Sequence, residues 1–193
     1  MNKEYKDNKN VGRYYEAEGG IINIVHYPDE IEIYGMGPCI GIGILNKKSR
    51  TGYVGHFIPQ DKINVKLVVD RALAEAEQVS DLEIALAGNQ IGTKGEWEGY
   101  SDIAESCGFS RFSYESHVKV HKKYEQFLKK MLKSLGFKKK QISIHFETLP
   151  GLGSYNIIVD TAKGKIEVGY TDCYEEAELR EKDQIAIKKL KKQ

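Results

Sequence analysis

The chain has 193 residues, enough for one sizeable hydrophobic core and with no need of a second. With 40% hydrophobic and 30% charged residues it has the composition of an ordinary globular protein, and a formal net charge of +1 gives no electrostatic footprint for nucleic acid. No apolar run approaches the roughly 20 residues of a membrane span, and the opening MNKEYKDNKN is polar where a signal peptide is apolar, so a cytoplasmic protein without membrane insertion is expected.

Residues 1–18 are charged and tyrosine-bearing without clear periodicity, which reads as a polar N-terminal arm, mobile or loosely docked, ending at Gly19-Gly20. Gly20 to His26 and Glu30 to Tyr34 read as strands split by the turn Tyr27-Pro28-Asp29, the second half buried because Ile31 and Ile33 alternate with Glu30 and Glu32. Ile40 to Leu45 and Gly52 to Ile58 form a hairpin candidate around the polar turn Asn46-Lys47-Lys48-Ser49. Val65, Val68, Val69, Ala72, Leu73 and Ala76 then recur at three- and four-residue spacing, which predicts an amphipathic helix over 64–79. Leu82 to Ala87 follows as a buried strand.

Gly88 to Phe112 is glycine-rich and polar, longer than an ordinary connection, and so an excursion of its own or a functional loop. Tyr124, Phe127, Leu128, Met131, Leu132 and Leu135 mark one stripe of a second helix stopped by Gly136. Strands at Gln141 to Glu147, Tyr155 to Asp160 and Lys165 to Gly169 complete a β-rich end. From Tyr174 onward acids precede lysines, the order that a helix macrodipole favours, so 170–193 is expected to be a charged helix or tail.

The three cysteines, Cys39, Cys107 and Cys173, are an odd and widely spaced set that suits reduced thiols. Cys39 has a partner. A hairpin centred between Lys47 and Lys48, closed by Leu45 with Arg50, sets Cys39 directly opposite His56, where Cβ atoms stand about 4.5 to 5.5 Å apart. Alternation sends Ile40, Ile42 and Ile44 to the core and leaves Cys39, Gly41, Gly43 and Leu45 on the other face, which the glycines leave bare for a ligand. An adjacent imidazolium stabilises a thiolate, so Cys39 reads as a nucleophile and His56 as its base and later acid. The oxyanion donors would be Cys39 N–H or Gly37 N–H, or another loop. Packing of a buried cysteine is the plainer account of the same pair.

The run GMGPCIGIGILNKKSRTGYVGHFIP resembles the chemoreceptor glutamine deamidase family, CheD, whose members carry Gly-x-Gly-Ser-Cys, a strand, a turn and Gly-x-x-His-x-x-Leu-Pro. Cys39 and His56 match that family's nucleophile and base, and Gly35, Gly37, Gly55 and Pro59 match the flanking positions loosely. LEIALAGN, YEQFLKKMLKSLGF, ISIHFE and YNIIVDTAKGKIEV continue the family's order, so the resemblance spans about residues 31–168. It implies an α+β fold of stacked mixed β-sheets, sandwich-like, with two or three flanking helices, shared with toxin deamidases of the cytotoxic-necrotizing-factor type. It implies a CheD-like cysteine hydrolase domain over 19–169, expanded at 88–121. It also implies hydrolysis of a glutamine side-chain amide in a protein, a chemoreceptor where a chemotaxis system is present, with no cofactor.

The sequence departs from the family at two site positions. The family's third catalytic residue is a threonine six positions before the cysteine, where this chain has Ile33, and Pro38 stands for the usual serine. Tyr34, Thr148, Ser154 and Asn156 are the polar candidates to orient the imidazole instead. Two other functions stay open: a catalytically inactive protein-binding domain, and a Cys-His peptidase or other amidohydrolase. Cys107 with His117 and His121 offers too few ligands for a common zinc site, and these histidines read as surface residues before a helix, so no metal is expected.

Overall fold

The computed structural model describes residues 14–16, 22–37, 39–57, 62–90, 94, 113–146 and 153–171. Among them, β1 (Tyr14–Glu16), β2 (Ile22–His26), β3 (Glu30–Met36), β4 (Ile40–Asn46) and β5 (Thr51–Phe57) precede helix α1 (Lys62–Glu75). Next come β6 (Leu82–Gly88), helix α2 (Tyr114–Ser134), β7 (Ile142–His145), β8 (Ser154–Asp160) and β9 (Lys165–Thr171). The strands form a four-stranded sheet, β1-β3-β8-β9, and a five-stranded sheet, β2-β5-β4-β6-β7. Pairing is parallel in β1 with β3 and in β6 with β7, and antiparallel elsewhere. This is the expected α+β, sandwich-like arrangement of mixed sheets with flanking helices.

Two layers of apolar side chains hold it. On one face of the five-stranded sheet, Ile40, Ile42 and Ile44 of β4 pack with Val65, Val68, Val69 and Ala72 of α1 and with Tyr124, Leu128 and Leu132 of α2. Each isoleucine buried there contributes about 1.5–3 kcal/mol. Tyr53, fully buried on the same face, donates its hydroxyl to Glu75 Oε2 at 2.6 Å and so fixes the end of α1. On the other face, Leu45, Val54, Ala85 and Ala87 meet Ile31, Ile33, Met36, Tyr155, Ile157 and Val159 of the four-stranded sheet.

The bare glycine face therefore needs correcting. A Cβ on Gly41 would strike Met36 Sδ, with Ile33 Cδ1 at 2.9 Å, and one on Gly43 would come within 2.6 Å of Ile157 Cγ2. These glycines let two sheets close on each other, and β4 is buried on both faces. Sequence alternation locates the face but not what covers it, because the cover comes from a second sheet: Ile33 and Met36 of the preceding strand over Gly41, and Ile157 and Val159, more than a hundred residues away, over Gly43.

Other boundaries also differ. Residues 14–16, expected in the loose arm, form an edge strand parallel to β3. Helix α2 starts at Tyr114, so the end of the expected 88–121 loop is helical; Ser113 caps it, its Oγ accepting from Ser116 N–H at 3.2 Å. The tail from 172, most of the 91–112 segment, Cys107, Cys173, Pro38 and Thr148 lie outside the described residues. Among the described residues no helix is long and apolar enough to cross a membrane.

Candidate active site

The β4–β5 hairpin forms, but in a different register from the one expected. Asn46 pairs with Thr51 and Leu45 with Gly52, which places His56 opposite Gly41. Cys39 stands one residue before β4 and two before Gly41, so alternation returns it to the face that carries His56. Continued alternation would make Cys39 and His56 diagonal neighbours, a relation that in a regular ladder spans about 7–8 Å between Cα atoms, and no hydrogen bond joins thiol and imidazole among the described residues. The direct opposition expected from the turn is replaced by this diagonal. Both side chains are half buried, and Cys39 is a free thiol.

The turn after β6 fixes the approach to Cys39. Gly88 and Asn89 adopt positive φ, +91° and +52°, and a Cβ on Gly88 would collide with Cys39 O. Asn89 N–H donates to Cys39 O at 2.6 Å and Gln90 N–H to Gly37 O at 3.0 Å, so two successive amides hold both sides of Pro38. Gly37 N–H is engaged with Gly35 O at 3.1 Å. Of the two expected oxyanion donors, only Cys39 N–H has no hydrogen-bond partner among the described residues.

Burial governs the electrostatics. It pushes the Cys39 thiol up and the His56 imidazole down, and no charged group offsets either effect. Both shifts favour the uncharged forms, a thiol and a neutral imidazole, over a thiolate and an imidazolium. Ile33, at the position of the family threonine, is fully buried and reaches toward Gly41, the residue facing His56. Met36 Sδ fills the same space, so the position across the ladder from His56 is taken up by hydrocarbon and a thioether.

Strand parity also places the orienter candidates. Ile33 and Tyr155 point between the sheets, whereas Tyr34 is exposed and Asn156 donates Nδ2–H to Glu32 Oε1 at 2.6 Å on the outer face. Ser154 shares the parity of Asn156. None of these three strand positions is on the inter-sheet face with His56.

Sequence reasoning missed Asn89 and His121. His121 is 2% exposed, not a surface residue, and its Nδ1 donates to Asn89 O at 3.2 Å. A signal was available: His121 lies three residues before Tyr124 and seven before Leu128, on the same helical stripe. Burial lowers its pKa, against a smaller raising effect of the bond to Asn89. Among the described residues no cluster of side chains could hold a metal ion.

No family model matches the chain. It is 26% identical over 153 residues to a protein of Clostridium botulinum (strain Eklund 17B / Type B) named "Probable chemoreceptor glutamine deamidase CheD", covering 78% of this chain and 90% of that protein. A protein of the same name from Clostridium botulinum (strain Alaska E43 / Type E3) matches at the same identity and coverage. With the motif order, the two-sheet fold and these relatives in agreement, the chain is CheD-like.

Proposed function

We propose that this protein is a cysteine-dependent amidohydrolase that converts a glutamine side chain of a protein substrate to glutamate and ammonia, with Cys39 as nucleophile and His56 as general base and acid. The observation that supports it is a half-buried free thiol one residue before β4, the strand that pairs with His56, with Cys39 N–H unengaged among the described residues. The relatives' printed name supplies the reaction and a chemoreceptor as the substrate. Asn89 and Gln90, whose backbone amides bond Cys39 O and Gly37 O, also carry a buried acceptor, Oδ1, and a buried donor, Nε2, without partners, the pair of functions that a carboxamide would match.

As substrate enters, His56 takes the thiol proton and Cys39 Sγ attacks the amide carbon. The carbonyl oxygen becomes an oxyanion facing Cys39 N–H. His56 returns the proton to the departing nitrogen, releasing ammonia and leaving a thioester. Water, deprotonated by the same imidazole, then hydrolyses the thioester to glutamate and regenerates the thiol. The catalytic unit is 19–169, with β1 added at its edge, working in the cytoplasm and without a cofactor.

The test is ammonia release from a glutamine-bearing chemoreceptor fragment, with a gain of about one dalton in the substrate. Cys39→Ala should abolish both while the circular dichroism spectrum is unchanged. Equal ammonia release by that variant would end the proposal, and chain cleavage in place of the mass gain would favour a peptidase.

A second function is favoured by Ile33, which cannot orient an imidazole: a protein-binding domain that has lost catalysis. Binding of the receptor fragment without any ammonia release would select it.

A further inference from the structure

We infer that His121 is a positioning residue that keeps Cys39 N–H open as the oxyanion donor by holding the carbonyl of Asn89 away from it. In an antiparallel ladder a hydrogen-bonded pair exchanges two N–H···O bonds. Cys39 and Asn89 continue the β4–β6 ladder and make one of them, from Asn89 N–H to Cys39 O at 2.6 Å. The returning bond, from Cys39 N–H to Asn89 O, is missing among the described residues. Asn89 O instead accepts from His121 Nδ1 at 3.2 Å. A carbonyl can only accept, so Nδ1 carries the proton.

The grip runs both ways, because Asn89 Nδ2 also donates to His121 O at 3.4 Å. The consecutive positive φ values of Gly88 and Asn89 take the chain out of the extended ladder at this point. His121 in turn is fixed by packing on the buried stripe of α2 with Tyr124 and Leu128. A helix more than thirty residues along the chain thus sets the polarity of the space beside the nucleophile. Were the Asn89 carbonyl to swing back, it would occupy the donor and aim its own negative end at the developing oxyanion.

The catalytic half of this inference rests on the deamidase proposal; the backbone half does not. His121→Phe keeps the volume and removes the donor, His121→Met does the same with a more adaptable side chain should the first fail to fold, and His121→Asn keeps an N–H near the Nδ1 position. By NMR, the Cys39 amide should exchange with deuterium about tenfold more slowly in the Phe or Met variant than in the wild type, because it gains an acceptor, and the Asn variant should restore the faster rate. In ammonia release, kcat should fall about 100-fold with KM unchanged in the Phe or Met variant and recover in the Asn variant. Unchanged Cys39 exchange in the folded Phe or Met variant overturns the inference, and so does an unchanged kcat. A wild type that releases no ammonia sinks the deamidase proposal alone, since the exchange comparison still decides whether His121 holds the carbonyl.

Discussion

His56 lies straight across the ladder from Gly41, and Cys39 sits two residues further along on the same face. The imidazole therefore faces a position without a side chain, and no hydrogen bond joins it to the thiol among the described residues. Burial raises the thiol and lowers the imidazole, so proton transfer waits for substrate.

Alkylation of Cys39 by iodoacetamide should follow a midpoint above the ordinary thiol value of about 8.5. His56→Ala should leave that midpoint nearly in place. A midpoint below the ordinary value in the wild type would show that the imidazole already stabilises the thiolate, contrary to this geometry.

Gly41→Ala should cost stability, because the new methyl meets Met36 Sδ and Ile33 Cδ1 between two packed sheets. A loss of about 1–3 kcal/mol is expected in urea unfolding. Wild-type stability would mean that the sheets are not closed over β4 as described.

Ile33→Thr restores a hydroxyl where the deamidase family has one. It removes buried hydrocarbon and adds a polar group to a site with no exposure, so stability should fall by about 1–3 kcal/mol. If the hydroxyl reaches His56, kcat for ammonia release should rise despite that loss. A fall in kcat in the folded variant would remove Ile33 from the imidazole's surroundings.

Acid should weaken the fold through two histidines. His56 and His121 both have pKa values lowered by burial, so below about pH 6.5 the unfolded chain takes up protons that the folded one refuses. Stability from these groups is complete above that pH and is lost as pH falls toward and through the folded values. His121→Asn should lessen the drop in urea midpoint between pH 7 and pH 5.5, and an undiminished drop would count against a buried neutral His121.

The hairpin was legible in the sequence and its register was not. Asn46 Oδ1 accepts from Lys48 N–H at 3.0 Å and Ser49 N–H at 3.1 Å, and Arg50 takes φ +55°, so the turn occupies 47–50, one residue later than composition suggests. Arg50 then donates to Thr161 O at 2.9 Å and Ala162 O at 3.0 Å, ties that no local pattern reveals. Moving the turn by one residue shifts each cross-strand partner by two, which preserves the face. That is why Cys39 and His56 still share a side although they no longer oppose each other. The helices were legible from spacing, whereas the glycine contacts depend on how two sheets stack and the His121 clasp on a partner remote in the chain.

Strand β4 is hydrogen-bonded on both flanks, by β5 and by β6, and covered on both faces. Its amides can meet solvent only when the whole molecule opens, while β2 and β7, at the sheet margins, can fray alone. The segment that delivers the sulfur is thus anchored to the most slowly exchanging part of the protein, and thermal breathing at the periphery should leave the geometry of attack undisturbed.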